Sequence, residues 1–273
     1  MFRAPARQTS MSGFSAMLVL VFHAAVRNIR KSNHNAILGL VVNISQSVIL
    51  VLVMYTMFTV LKMRGSAVRG DFMLYTMTGI FMYMTHTKTL SAVAKSDGPT
   101  SSMMKHAPMN TIIAIAAAAL ASLYQQILSI TVILFFYHVV FHPITIDQPI
   151  GALMMLLLAW ASGIGVGVLL KSATPWAPEF FTVFTVIYTR ANMIASGKMF
   201  LANSMPTSKL AWFWWNPLFH VIDQTRGFVF LNYNPHYSNI TYPVVVTLVL
   251  ILLGLMLENF TSRHASISWS AGR

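Results

Sequence analysis

Over 273 residues, 56% are hydrophobic and only 9% charged, with a mean hydropathy of +0.65. Soluble domains carry about 25% charged residues, so a soluble globular protein is excluded and a polytopic membrane protein indicated. The formal charge of +12, from 18 Lys and Arg against 6 acids, comes without a basic run interleaved with aromatics. It is therefore read as topogenic charge beside membrane spans and not as a nucleic-acid footprint.

With no cysteine in the chain, disulfides, thiolate metal sites and cysteine catalysis are impossible. The first residues, MFRAPARQTSMSG, lack an apolar core followed by a small-residue cleavage site. They predict insertion through the first span with no cleaved signal peptide. Residues 14–31 place Phe14, Met17, Leu18, Val21, Phe22, Ala25 and Ile29 at helical spacing, with His23, Arg27, Arg30 and Lys31 on the other face. That pattern predicts an amphipathic helix lying on a membrane surface, as an anchor or as a contact element for a partner.

The first span is predicted over 36–61, long enough to cross about 30 Å of hydrocarbon. Its Asn43, Ser45, Gln46 and Ser47 are expected to hydrogen-bond a neighbouring helix. The second runs from Phe72 to about Leu90 and holds several threonines, with His86 and Lys88 near its end, where a lysine can snorkel to the interface. Residues 91–110, broken by Gly98, Pro99 and Pro108, form either a flexible link or a loop with a short docking helix at 101–106. The third span fills Thr111 to about Val140, with Gln125 and Gln126 as a possible break. His138 and His142 have the spacing of a helical metal pair but no third ligand near them in sequence, and no metal site is assigned.

The fourth span covers 150–170. Its Gly163, Gly165 and Gly167 lie inside a continuous apolar helix, which points to close helix packing and away from a nucleotide loop. The fifth follows Pro175 and Pro178 and continues to about Leu201, carrying Arg190 in its middle. An intramembrane arginine has to face a bundle interior or a wet cavity, as a functional group or in a structural ion pair. The sixth runs from Ile240 to Leu257 and ends at Glu258.

Between the last two lies the most informative stretch, 190–235. Residues 212–231 are apolar enough to enter a bilayer, yet Asp223 and Arg226 would each cost roughly 2.5–3.5 kcal/mol at the centre of a span. Pro217 also removes a backbone donor. A dip into one leaflet and back is the cheaper geometry, and irregular backbone at that depth must line protein or water. With the N-terminus inside, eleven of the 18 cations fall on the cytoplasmic side, six outside, and Arg190 within the membrane. The count supports cytoplasmic N- and C-termini and six spans.

No phosphate loop, zinc-protease helix, paired glycosidase carboxylates or nucleophile elbow is present in the sequence, so the chain is not expected to be an enzyme by itself. An amphipathic helix, six spans, a loop after the second and a re-entrant stretch before the sixth together resemble the membrane subunit of a type-2 ABC exporter. The nearest resemblance is to the KpsM/Wzm-type permeases that export capsular polysaccharide or O-antigen. It is carried by IRKSNHNAILGL, LYTMTGIFMY, and ASGKMFLANSMP followed by WWNPLFHVIDQTRGFVF. Asn216-Pro217-Leu218 with His220 and Arg226 is the most specific part. The sequence departs from that family at Lys198, where an apolar or aromatic residue is usual, and at Gly98-Pro99.

The resemblance implies an all-α fold in a single transmembrane domain over 1–273, in the bacterial inner membrane. Two permeases would pair around a channel, with two ATPase subunits beneath that hold the ATP and Mg; this chain carries no cofactor. Ser101, Ser102, Met103, Met104, Lys105 and His106 would contact the ATPase. Tyr188, Arg190, Trp212, Trp214, Trp215, Asn216, Pro217, His220 and Arg226 would form the channel and its outer gate for a lipid-linked glycan, with periplasmic and outer-membrane export proteins beyond. Sugar C–H faces pack on aromatic rings, and an arginine in the channel meets an acidic sugar or lipid phosphate through two parallel hydrogen bonds. For the tryptophans an interfacial aromatic belt is the other reading. The competing functions are a type-2 permease for a drug or another lipid, a membrane enzyme acting on lipid-linked sugar, and a passive channel.

Overall fold

A helix satisfies every backbone N–H and C=O within its own segment, which suits it to lipid. The computed structural model describes residues 10–32, 36–60, 71–98, 110–141 and 143–264, and among these the chain is helical without strands. The order is α1 (Ser10–Ser32), α2 (Ala36–Val60), α3 (Phe72–Ala94), α4 (Thr111–Val140), α5 (Pro149–Ala173), α6 (Pro178–Ala195), α7 (Thr207–Leu210), α8 (Pro217–Val229) and α9 (Thr241–His264). By length and composition α2, α4, α5 and α9 are able to cross a membrane. At 23 and 18 residues, α3 and α6 have the length without the apolar composition. At 13 residues, α8 is only about 20 Å long, short of a crossing.

The centre of the bundle is α3. Every residue from Leu74 to Thr87 is buried, against α5, α4, α8 and α2. Its threonines return their hydroxyls to their own helix: Thr76 to the Phe72 carbonyl, Thr78 to Tyr75, Thr85 to Phe81 and Thr87 to Tyr83, at 2.7–3.0 Å. The threonines set among the apolar residues of α3 are thereby carried inside with their hydroxyls satisfied.

Close approach by α5 makes this possible. A Cβ on Gly163 would stand 2.5 Å from the His86 carbonyl oxygen, and one on Gly167 2.9 Å from Val93 Cβ. The glycine stripe is thus a packing seam, as its apolar setting implied, and the opposite side of α5 packs along α9. There Ser172 donates to the buried Glu258 at 2.8 Å, and Thr261 donates to the Ser172 carbonyl at 2.9 Å.

Of the polar residues of α2, Asn43 and Gln46 meet its neighbours as expected, whereas Ser47 donates to the Asn43 carbonyl of its own helix at 3.1 Å and Ser45 is exposed. Asn43 donates to Ser129 Oγ at 2.9 Å and to the Gln125 carbonyl at 3.2 Å. Lys88 does not snorkel; it reaches across to donate to Asn43 and to Gln46 Oε1, the latter at 2.8 Å. Nor do Gln125 and Gln126 break α4, which is continuous: the buried Gln126 donates to Asn43 Oδ1 at 3.3 Å as a cross-link, while Gln125 offers its backbone carbonyl. His138 accepts from the Ile144 amide at 3.0 Å, shaping the turn after α4; His142 lies outside the described residues.

The amphipathic helix is present as α1. It lays Ala24, Ala25 and Ile29 on Ala117 and Ala121 of α4, buries Val21, and leaves Leu18, Val19 and Phe22 exposed. Two ends differ from the sequence reading. The fifth helix stops at Ala195, six residues before Leu201, because Gly197 adopts a left-handed backbone with φ of 74°. The last continues through Glu258 to His264.

If the seam is set by shape, Gly163→Leu lowers the melting temperature of the detergent-solubilised protein by the equivalent of about 1–3 kcal/mol. Gly98→Ala, with no atom within 4 Å of the added carbon, leaves it unchanged.

Candidate functional site at the junction of α6 and α8

The stretch from Ser196 to Asn216 doubles back so that the start of α8 meets the end of α6. Three side chains hold it there. Asn216 caps α8, its Oδ1 accepting from the Leu218 amide at 3.0 Å. Its Nδ2 donates to Asn192 Oδ1 at 2.9 Å and to the Ala195 carbonyl at 3.0 Å, on the last turn of α6. Pro217 occupies the first helical position, where its missing N–H costs nothing.

Arg226, 1% exposed, reaches back from the far end of α8. Its Nη1 donates to the carbonyls of Gly197 and Phe200 at 3.1 and 2.6 Å, and its Nη2 to that of Lys198 at 2.8 Å. The guanidinium also lies 4.2 Å from the centroid of the Tyr75 ring on α3. One cation therefore gathers three carbonyls just beyond the negative end of the α6 dipole. Lys198 is buried beside it, its ammonium 4.0 Å from the centroid of Tyr83. At Gly197 the left-handed backbone and the Phe219 ring, 2.6 Å from where a Cβ would stand, both require glycine.

His220 is fully buried and bonded on both nitrogens: Nδ1 accepts from the Asn239 amide at 3.2 Å and Nε2 faces the Trp214 carbonyl at 2.7 Å. Because a carbonyl only accepts, the proton is on Nε2 and the ring is neutral. Asp223 accepts from Ser238 Oγ at 2.7 Å and from the Tyr233 hydroxyl. Burial, with the Asp223 carboxylate beside it, pushes the Tyr233 hydroxyl well above the ordinary tyrosine value, which keeps it a donor. These groups are occupied in positioning one another, and none is free to transfer a proton or attack a substrate.

What the junction presents outward is aromatic. Trp212, Trp214 and Trp215 are exposed, Trp212 at 77%. Trp215 Nε1 donates to the Trp212 carbonyl at 2.7 Å. Tyr242 of α9 stacks on Trp214 with planes 10° apart and donates to the Trp215 carbonyl at 2.5 Å. The result is a shelf of rings braced from below by His220, Asn216 and Arg226.

The other expected residues lie apart from that shelf. Tyr188 turns inward, its hydroxyl 3.2 Å from Nε2 of the buried His86, whose Nδ1 is 2.8 Å from Ser162 Oγ. Two residues on, Arg190 is exposed. Its surroundings thus differ from the expectation of a bundle interior: α6 buries only Asn192 within this chain and leaves Phe180, Val183, Phe184, Val186, Ile187 and Ile194 exposed. Ser101, Ser102, Met103, Met104, Lys105 and His106 lie outside the described residues. Sequence reasoning passed over Asn192, Tyr75 and Tyr242. The lone amide near the end of an apolar helix was the available signal for Asn192, whereas Tyr75 and Tyr242 are remote in sequence from the groups they brace.

Fold and site together define a multi-pass, all-helical membrane protein whose exposed faces are apolar and aromatic. The family model for the ABC-2 type transporter matches residues 19–230, from within α1 to the residue after α8, and the chain belongs to that family. It is thus the membrane permease component of an ABC transporter, and family membership implies an ATPase partner. No curated protein matches the chain.

Arg226→Lys keeps the charge and loses the fork that spans three carbonyls. It is expected to destabilise the detergent-solubilised protein by about 1.5–3 kcal/mol and to shift tryptophan emission as the shelf loosens. Unchanged melting and emission would remove Arg226 from this role.

Proposed function

We propose that this chain is the permease subunit of an ABC exporter that moves a lipid-linked capsular polysaccharide or O-antigen outward across the bacterial inner membrane. The observation that carries the reading is the aromatic shelf in which Trp212, Trp214 and Trp215 are exposed on the single chain and braced by hydrogen bonds and by the half-buried Tyr242. Rings with polar edges suit a glycan, whose C–H faces pack on aromatics while its hydroxyls need partners.

In this reading α2 to α6 and α9 are six spans, and the polar content of α3 is shielded by its neighbours. The segment leading through α8 dips into the outer leaflet and returns, forming the outer gate. The exposed face of α6 lines a channel completed by a second copy of the chain, and there Arg190 meets an acidic sugar or a lipid phosphate. Both termini are cytoplasmic. Two ATPase subunits, holding ATP and Mg, dock on residues 101–106 and on α1, and closure of the ATPases drives the cargo toward periplasmic and outer-membrane export proteins.

A type-2 permease for a drug or another lipid is the second reading. It is favoured by an apolar cavity of about 380 Å³ between α2, α3 and α4, lined by Val48, Val51, Met73, Ile133 and Phe136 among others. Stimulation of the complex's ATPase by small hydrophobic compounds, with surface glycan unchanged on deletion, would select it.

Arg190→Ala is expected to reduce export on the order of tenfold, the loss of a charge-assisted contact, with membrane insertion intact; normal surface glycan would sink the role. Because the chain has no cysteine, Ile187→Cys on the exposed face of α6 gives a clean test of pairing. Oxidation should yield a covalent dimer in native membranes, and a monomer under those conditions would place α6 against lipid.

A further inference from the structure

At the end of the bundle where α3 finishes and α4 begins, a cavity of about 330 Å³ with charged and amide side chains in its wall opens between α1, α3 and α4. It is near the lower end of the size range of small-molecule sites, roughly 300–1,000 Å³. Asn28, Lys88, Lys95, Asp97, Ser122 and Gln125 contribute to its wall, and no residue of the α6–α8 junction does.

The charge around it is unbalanced. Asp97, the one carboxylate in the wall, already faces Arg27 at 3.9 Å, so Lys88, Lys95 and Arg27 stand against a single acid. Arg27 Nε is buried with no hydrogen-bond partner. Lys171 of α5 fixes the floor, donating to Ser96 Oγ at 2.8 Å and to the Asp97 carbonyl at 2.9 Å. The neutral wall residues Asn28, Ser122 and Gln125 supply further donors and acceptors for ester or hydroxyl oxygens.

The margin of the cavity is apolar. Beside the wall residues Ala121 and Gln125, α4 exposes the neighbouring Leu120 and Tyr124. A cationic pocket bordered by lipid-facing side chains accepts a charged headgroup while the acyl chains remain outside. We infer that this cavity binds the phosphate of an anionic membrane lipid, with Lys95 and Lys88 as its cations and Arg27 at its edge. Occupancy would tie α1 to the turn at 95–98 through the lipid. The site is independent of what cargo the protein moves.

Native mass spectrometry of the full chain in detergent, with equal phosphatidylglycerol and phosphatidylcholine, tests it. The wild type should retain phosphatidylglycerol preferentially. Lys95→Glu, at an exposed position, should reduce that preference roughly fivefold or more, and Lys88→Gln should reduce it as well. Lys209→Glu, a cation of α7, should leave it unchanged. Because Lys88 also holds Asn43 and Gln46, a folding defect in that variant leaves the decision to Lys95→Glu. Equal retention by Lys95→Glu and wild type overturns the proposal. Displacement of the lipid by excess inorganic phosphate also overturns it, assigning the cavity to a soluble phosphate.

Discussion

The structure depends on how closely α5 approaches α3. With no side chain at Gly163 and Gly167, the α5 backbone rests on the His86 and Leu90 carbonyls, and α3 can be enclosed on every face. Lipid is as apolar as leucine, so helices in it associate by shape and hydrogen bonds and not by hydrophobic burial. Small residues at the seam supply the shape. The network of Asn43, Lys88, Gln126 and Ser129 supplies the hydrogen bonds, and together they fix where α2, α4 and α5 stand.

On that frame the α6–α8 junction is a second structure, tied to α3 at Tyr75 and Tyr83. Its cations are held by carbonyls and rings: Arg226 Nη1 and Nη2 by three backbone oxygens, and Lys198 over the Tyr83 ring, its buried ammonium without a hydrogen-bond partner. The contrast with Arg190 is physical. Arg226 is consumed in holding the chain's own backbone, whereas Arg190 is exposed on a helix that buries almost nothing within this chain.

Much of this could be read in the sequence. Helix positions followed from apolar runs and proline breaks, the glycine stripe from its setting inside an apolar helix, and the break before α8 from Asp223, Arg226 and Pro217. The ends of helices were harder, because Gly197 stops α6 by a backbone conformation that hydropathy does not register. Side-chain direction was hardest. Tyr188 and Arg190 are two residues apart and so lie on opposite sides of α6, one inward to His86 and the other outward from the bundle; the spacing separates them, but the sequence does not say which side meets the bundle. Lys88 near the end of an apolar helix read as an interfacial cation because its partners, Asn43 and Gln46, are more than forty residues away.

The threonines of α3 have a mechanical consequence. Thr76, Thr78, Thr85 and Thr87 each donate to a carbonyl three or four residues back in the same helix, so their hydroxyls make no demand on any neighbour. Toward α8 and α2 these four hydroxyls add no directional bond, so contact there rests on the fit of side chains and on the Arg226 guanidinium over the Tyr75 ring. The directional bonds that hold α3 to its neighbours, at His86, Lys88 and Thr89, at Tyr83, and at its capping Asp71 through the Tyr137 hydroxyl, are therefore the ones that any shift of this helix has to break.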